Sequence, residues 1–450
     1  MMLSLPRWAA IAASLLLLSP RAIAVPTLGD VELNGGPLAA RADDGWHWVA
    51  TWTSMPQLVE SSNMPPSPFV CTTISSTSPS GGGVFKDATL RQTLHLSVGA
   101  ERLRIQISNT FGGSDLPITA ASIALPTGGK AGVAGIDTST LKALTYNNGS
   151  ASITIPRGQV AYTDPIDFTV AAQANIAISI YSQAGQSGSS ITGHPGSRTT
   201  SHMQSGNRVS TATLSGGANT KHWYFLSAIE AWSPPTTHAL VILGDSITDG
   251  RGSTDDGNNR WPDLLIARLQ QKATTNLNLS HIAVNNQAAG GNAVLSGGLG
   301  PTLLTRYKRD ALQVAGVKYV MVFEGVNDIG GGGTDSGTQN GLGSRLQQAF
   351  QQIAADCKAA GLKTIGATIT PFGGSGQAYS NPTREQTRVK VNEWILKSGT
   401  FDATVDFGGL IGDPSVKSQL ARQYDGGDHL HPNVAGYQAM ADGFPLGFFE

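Results

Sequence analysis

A chain of 450 residues is long enough for two or three domains. Its 30 Lys and Arg against 31 Asp and Glu give a formal net charge of -1, which excludes a broad electrostatic pull toward nucleic acid or an anionic membrane. Two cysteines, Cys71 and Cys357, exclude a disulfide-built scaffold; their pairing is left open, and a buried free thiol is the simpler expectation for Cys357, which falls on an amphipathic helical stretch.

The first predicted element is a leader. In "MMLSLPRWAAIAASLLLLSPRAIA", Arg7 precedes an apolar run over 8–18 and a small-residue A-I-A that ends at Ala24, the order of a secretory signal peptide. The run is too short to cross a bilayer as a helix, which takes about 20 residues. Residues 1–24 are expected to be removed, leaving 25–43 as a flexible lead-in to a secreted, soluble chain. The abundance of glycine (55 residues), Ser and Thr agrees with that reading. Secretion would expose two N-glycosylation sequons, at Asn148 and Asn278.

Residues 44–233 follow a period of two. "TLRQTLHLSV" alternates Leu90, Leu94, Leu96 and Val98; "RLRIQISN" alternates Leu103, Ile105 and Ile107; "NIAISIYS" alternates Ile176, Ile178 and Ile180. Clusters such as "SPSGGG", "FGGSD", "PTGGK" and "NNGS" separate the runs. This predicts half-buried strands joined by turns, an all-β, sandwich-like domain. "TGHPGSRTTSH", with His194, Arg198 and His202, reads as one of its polar loops, either at a surface or interface or packed against the rim of a site.

The pattern changes after Pro234-Pro235. From 236 to 450, short apolar strands alternate with helices. Strands are predicted in "HALVILGDS", "HIAVNNQA", "KYVMVFEGVND", "KTIGATITPF" and "ATVDFG". Helices are predicted in "WPDLLIARLQQ", around "TLLTRYKRDALQVAG", and in "SRLQQAFQQIAADCKAAG", "REQTRVKVNEWILKSG" and "NVAGYQAMADGF". Strand-helix alternation means an α/β domain whose five-stranded parallel sheet is covered on both faces, with ligands at the carboxyl ends of the strands.

Those strand ends carry chemistry. Strand one ends in G-D-S with Ser246, strand two in N-Q-A-A-G-G-N with Gly291, strand three in G-V-N-D with Asn327, and D-H-L-H-P follows strand five. A serine hydroxyl needs an adjacent base, a histidine suits that task near neutral pH, and the histidine needs an anionic partner. Asp428 and His431 stand three apart, a spacing that brings side chains together in a turn, and Pro432 pushes His431 out of helical backbone. His431 is therefore the expected base, Asp428 its partner and His429 a wall or surface residue. Asp425 and Asp406 are the competing carboxylates. The backbone N–H groups of Ser246 and Gly291 and the side-chain amide of Asn327 are the expected oxyanion donors, with Gly290 competing for the glycine position. Asp245 and Asp328 are expected to brace the loops.

With these residues in place the sequence resembles the SGNH, or GDSL-type, esterase and acylhydrolase superfamily. Four blocks occur in order: G-D-S-I-T at 244–248, Gly291 in "NQAAGGN", G-V-N-D at 325–328 and D-H-L-H-P at 428–432. The resemblance implies a flavodoxin-like three-layer α/β/α fold, catalytic Ser246, Asp428 and His431, an oxyanion hole of Ser246, Gly291 and Asn327, and neither metal nor other cofactor. "WVATWTSM", "TLRQTLHLSV" and "RLRIQISNTFG" further resemble a secreted subgroup with an N-terminal β-rich domain, some of whose members are associated with plant cell-wall polysaccharide. That implies short acyl esters, chiefly acetyl, on carbohydrate. The expected partner is thus a small-molecule or polysaccharide ester, with no nucleic acid, no membrane and a monomeric chain. Three rivals stay open: a lipase or lysophospholipase acting on longer chains, a metal-dependent phosphoesterase using Asp245, Asp328 and the D-H-L-H run, and a carbohydrate-binding protein whose α/β part is vestigial.

Overall fold

The computed structural model of the chain describes residues 45–70 and 83–449. The predicted leader and lead-in, and Cys71, lie outside the described residues. Cys357 is buried, and among the described residues it has no disulfide partner.

The C-terminal half is built on five parallel strands, numbered here β1 (His238–Gly244), β2 (Ile282–Ala288), β3 (Val317–Phe323), β4 (Lys363–Ala367) and β5 (Ala403–Val405). Their spatial order is β2-β1-β3-β4-β5, the flavodoxin-like order expected. Leu240, Val241, Ile242 and Leu243 of β1 are each 0% exposed, because side chains on both faces of a central parallel strand meet helices. The helices are α1 (Ser246–Asp249), α2 (Trp261–Lys272), α3 (Leu303–Tyr307), α4 (Val326–Gly331), α5 (Ser336–Ala359), α6 (Pro382–Lys397), α7 (Phe407–Ile411) and α8 (Val434–Gly443). Register pairs Gly244 with both Ala288 and Phe323, so the carboxyl ends of β1, β2 and β3 lie level on one rim. No helix among the described residues is long and apolar enough to cross a membrane.

Three departures from the sequence pattern have local causes. The third strand stops at Phe323; Gly325, at φ 120°, turns the chain, and the V-N-D that was read as strand end opens α4. Helix α5 begins at Ser336, eight residues before the apolar periodicity does. Its first turns are polar and glycine-rich, but Asp335 caps them by accepting the N–H of Thr338 at 2.8 Å. Gly343 lets α5 approach α6 closely: a Cβ there would stand 3.3 Å from Cγ2 of Thr387. The helix read over 302–316 is broken after Tyr307 into a π-helical turn, Lys308–Leu312.

The N-terminal half is strand-rich and antiparallel, as the period-two pattern predicts. One sheet joins His47–Thr53, Leu226–Ser233 and Ala100–Ser108 with the short strands Val160–Tyr162 and Ile166–Val170. A second joins Ala218–Thr220, Ser201–Ser205, Ala88–His95, Asn175–Ser182, Ala120–Pro126 and Ile136–Leu144, and three smaller sheets of two or three short strands lie beside them. Leu103, Ile105 and Ile107 from the first share one buried core with Leu90, Leu94, Ile176, Ile178 and Ile180 from the second. This half docks on the β2 edge of the parallel sheet. Val49 and Val98 pack on Ala239 and Ala283, the Ser97 hydroxyl donates to the carbonyl of Val284 at 2.6 Å, and Asn285 Nδ2 donates to the carbonyl of Ala50 at 2.8 Å.

Candidate active site

Ser246 leaves β1 on a tight corner. A Cβ on Gly244 would meet Thr248 at 2.8 Å, so no side chain fits where strand turns into helix. Asp245 caps α1 by accepting the N–H of Ile247 at 3.0 Å. Gly250, at φ 99°, closes this single turn, its N–H donating to the carbonyl of Ser246 at 2.9 Å. The corner presents the Ser246 hydroxyl at the rim, 2.8 Å from Nε2 of His431.

His431 is held from the other side of the rim by its own loop. Asp428 Oδ1 accepts the backbone N–H groups of Leu430 (3.1 Å) and His431 (2.8 Å), an Asx turn, while its Oδ2 faces Nδ1 of His431 at 2.7 Å. A carboxylate can only accept, so Nδ1 carries the proton and Nε2 is left to accept from Ser246. The second histidine is served separately: Asp425 Oδ2 lies 2.6 Å from Nδ1 of His429 and its Oδ1 accepts the N–H groups of Gly427 and His429. Asp406 lies elsewhere, capping α7 and accepting the Thr368 hydroxyl at 2.7 Å. Of the three carboxylates weighed from sequence, the structure brings only Asp428 to His431.

Electrostatics favour a neutral imidazole. Burial lowers the His431 pKa below 6.5, and the hydrogen bond and charge of Asp428 oppose this without overcoming it. Burial works against ionisation of Asp428, but its bonds to the His431 backbone and ring and to Leu430 prevail and hold the carboxyl below its ordinary value.

The two glycines after β2 differ in their hydrogen bonds. The N–H of Gly290 donates to Asp249 Oδ2 at 2.8 Å. Among the described residues, neither the N–H of Gly291 nor that of Ser246 has an acceptor. Gly291 sits at φ 70°, a backbone that favours glycine. Asn327, in the first turn of α4, donates from Nδ2 to the carbonyl of Asn292 at 2.7 Å and accepts the Tyr379 hydroxyl at 3.0 Å. That leaves the second hydrogen of its amide uncommitted. Asp328 braces the loop after β2, accepting the N–H groups of Val294 (2.8 Å) and Leu295 (2.9 Å). Asp245 and Asp328 are thus each turned onto backbone amides, and among the described residues no group of three or more His, Cys, Asp or Glu is placed to hold a metal ion.

Sequence reasoning missed the buried charges beneath the rim. Arg306, 1% exposed, donates to the carbonyls of Gly244 (3.0 Å) and Gln287 (2.6 Å), to Asn292 Oδ1 (2.9 Å) and to Glu324 (3.3 Å). One guanidinium therefore ties together the ends of β1, β2 and β3, the three segments that carry Ser246, Gly291 and Asn327. Burial raises the Glu324 pKa to about 8 against the charge of Arg306, and raises Asp245 to about 7. Arg306 stands three residues after buried Leu303 and one before buried Tyr307, so a cation on an apolar helix face was the available signal. The expected loop around His194 is half strand: Thr192–His194 and Ser201–Ser205 flank a segment packed against α1 and the loop after it, where Arg198 donates to the carbonyl of Ser253 at 2.7 Å. Asn148 and Asn278 are both exposed.

No curated protein matches the sequence. Solved structures similar to part of the chain include a GDSL-like lipase from Bacteroides thetaiotaomicron (17% identity, covering 46% of this chain and 84% of that one, TM-score 0.32). An acetyl xylan esterase from Geobacillus stearothermophilus shows 20% identity, covering 46% of this chain and 94% of that one, with a TM-score of 0.34. The model of the GDSL-like Lipase/Acylhydrolase family matches residues 242–439, from within β1 to within α8, and over those residues the chain is a domain of that family.

Proposed function

We propose that this domain is a serine carboxylester hydrolase, with Ser246 as nucleophile, His431 as general base and acid, and Asp428 as its orienting anion. The observation that carries the reading is the relay of 2.8 Å from Ser246 Oγ to His431 Nε2 and 2.7 Å from His431 Nδ1 to Asp428 Oδ2. Oγ attacks the ester carbonyl carbon while its proton passes to Nε2. The carbonyl electron pair moves onto oxygen, toward the N–H groups of Ser246 and Gly291 and the amide of Asn327. Collapse breaks the bond to the alcohol, which leaves with the proton from Nε2. Water, deprotonated by the same nitrogen, then attacks the acyl-serine, freeing the acid and restoring Ser246.

The substrate we favour is a short acyl ester, acetyl above all, on a carbohydrate. The loop over 372–381 packs against the rim of the site and is where an alcohol moiety would be met. It sends Tyr379 to Asn327 and Gln377 to the carbonyl of Asp428 (2.5 Å). With Pro382, Glu385, Ser418 and Gln419, its outer side (Phe372, Ser380 and Asn381) lines a cavity of about 370 Å³ of mixed polar and apolar character. One feature favours longer chains instead: Leu299, 52% exposed, would lie 3.1 Å from a Cβ on Gly291, beside the oxyanion position. The leader read from sequence would deliver the chain outside the cell, where esterified polysaccharide is met.

A panel from p-nitrophenyl acetate and acetylated xylan to p-nitrophenyl palmitate, run on the wild type and Ser246→Ala, tests both parts. Turnover of acetyl esters that vanishes in the variant is expected. A preference for palmitate would replace the acetyl-glycan reading by the lipase reading, and activity surviving in Ser246→Ala would end the serine mechanism.

A further inference from the structure

Asp249, the last residue of α1, faces two ways. Its Oδ2 accepts the N–H of Gly290, and its Oδ1 lies 2.9 Å from Nε2 of His194. His194 belongs to the antiparallel half, and its Nδ1 lies 3.1 Å from the carbonyl oxygen of Met55 in that same half. Both side chains of the pair are 4% exposed. The imidazole stacks on Trp223, with ring centroids 5.8 Å apart. The following segment runs so close that a Cβ on Gly196 would stand 1.7 Å from Asp249 Oδ2.

His194 stands between a carbonyl and a carboxylate, and it satisfies a buried acid that would otherwise be left with a single amide donor. Removing one partner from such a buried pair is costly because the other stays behind without compensation. Asp249 grips Gly290, and the next N–H along the chain is that of Gly291.

We propose that His194 is a positioning residue for the hydrolysis: through Asp249 it holds the Gly290–Gly291 turn so that the Gly291 N–H meets the forming oxyanion. The inference rests on the serine-hydrolase reading above. It makes the antiparallel half part of the active-site scaffold, since the partner of Asp249 Oδ1 comes from that half.

The test is steady-state kinetics of the full chain on p-nitrophenyl acetate, with active sites counted by stoichiometric labelling with a fluorophosphonate. In His194→Ala, kcat per labelled site is expected to fall about 10- to 100-fold, a part of the roughly 100- to 1000-fold that loss of a whole oxyanion donor costs. KM should stay within about threefold, because the interaction is made in the transition state and not with bound ester. The double variant His194→Ala/Asp249→Asn keeps an acceptor for Gly290 without burying a charge, and should recover roughly tenfold of the lost kcat. Should His194→Ala not fold, Asp249→Ala removes the same grip and is expected to show the same loss of kcat at unchanged KM. A purely structural role would lower Tm and leave kcat per labelled site at the wild-type value, and that result overturns the proposal; so does a change confined to KM, or a double variant no better than the single. Ser246→Ala separates the two levels. If it stays active, the serine reading fails; if it is inactive while His194→Ala turns over normally, only this inference fails.

Discussion

Replacing Asp428 by asparagine isolates what the carboxylate does for the histidine. Asparagine keeps the backbone half of the contact, because its carbonyl can still accept the N–H of His431 now bonded at 2.8 Å. It then turns an NH2 toward Nδ1 across the 2.7 Å contact, so Nδ1 must accept and the ring proton moves to Nε2. Nε2 can no longer take the proton of Ser246. The imidazolium formed during attack also loses its counter-charge. A charge-assisted hydrogen bond contributes about 1.5–3 kcal/mol; with 42% of the Asp428 side chain exposed, solvent screening argues for the lower half, about 1.5–2 kcal/mol or roughly 10- to 30-fold. The wrong tautomer adds to this, and the corresponding swap in the serine-protease triad costs about 10⁴-fold. We expect kcat on p-nitrophenyl acetate to fall by about 10²- to 10⁴-fold in Asp428→Asn, and by no more than about twofold in Asp425→Asn, whose side chain bonds His429 and the N–H of Gly427 and makes no hydrogen bond to His431. Asp428→Asn retaining a tenth or more of wild-type kcat, or Asp425→Asn losing as much as Asp428→Asn, would refute the assignment of carboxylates to histidines.

Three further outcomes follow from the same geometry. Because burial lowers the His431 pKa and only its neutral form can accept the serine proton, kcat/KM should rise with pH through an inflection below 6.5 and stay high above it. The inflection should move lower still in Asp428→Asn, which removes the opposing contribution; a wild-type inflection at or above 6.5 would contradict the buried, neutral base. Glu324 has its folded pKa raised from 4.5 to about 8, so its contribution to stability is present below pH 4.5 and is lost as pH rises through about 8; Glu324→Gln should flatten the fall of Tm across that window, and an unchanged slope would place the titration elsewhere. Trp261, 0% exposed, packs on Phe407 and Phe444 at 5.2 and 6.3 Å and donates to the Thr248 hydroxyl behind the nucleophile turn, so Trp261→Ala should cost about 3–5 kcal/mol in urea unfolding; a cost below about 1 kcal/mol would contradict the packing described.

What could be read from sequence divides by the range of the interactions. Alternation of Leu103, Ile105 and Ile107, and the run Leu240–Leu243, reported their strands because side-chain direction there follows from backbone period alone. The motif residues were legible because each sits where a short strand ends, and the D-x-x-H spacing foretold the turn that bonds Asp428 to His431. Choosing between Gly290 and Gly291 needed the position of Asp249, forty-one residues away in the chain, and no pattern within the motif carries that. Arg306 was unreadable for a similar reason: its partners Gly244, Gln287, Asn292 and Glu324 come from the ends of three separate strands, and a single buried cation leaves only a gap in an apolar stripe. The early start of α5 was hidden because Asp335 and Gly343 act through a cap and a close helix contact, and neither adds to hydrophobic periodicity. His194 looked like a loop residue because its partners, Met55 and Asp249, lie on either side of the boundary between the halves.

The proposed hydrolysis begins at one hydroxyl, that of Ser246. Labelling the full chain with a serine-directed fluorophosphonate, then locating the adduct by peptide mass spectrometry, asks which group attacks. We predict one adduct per chain, on Ser246, formed in step with loss of esterase activity and absent from Ser246→Ala. An adduct on another residue, or full labelling of Ser246 with turnover intact, would contradict it.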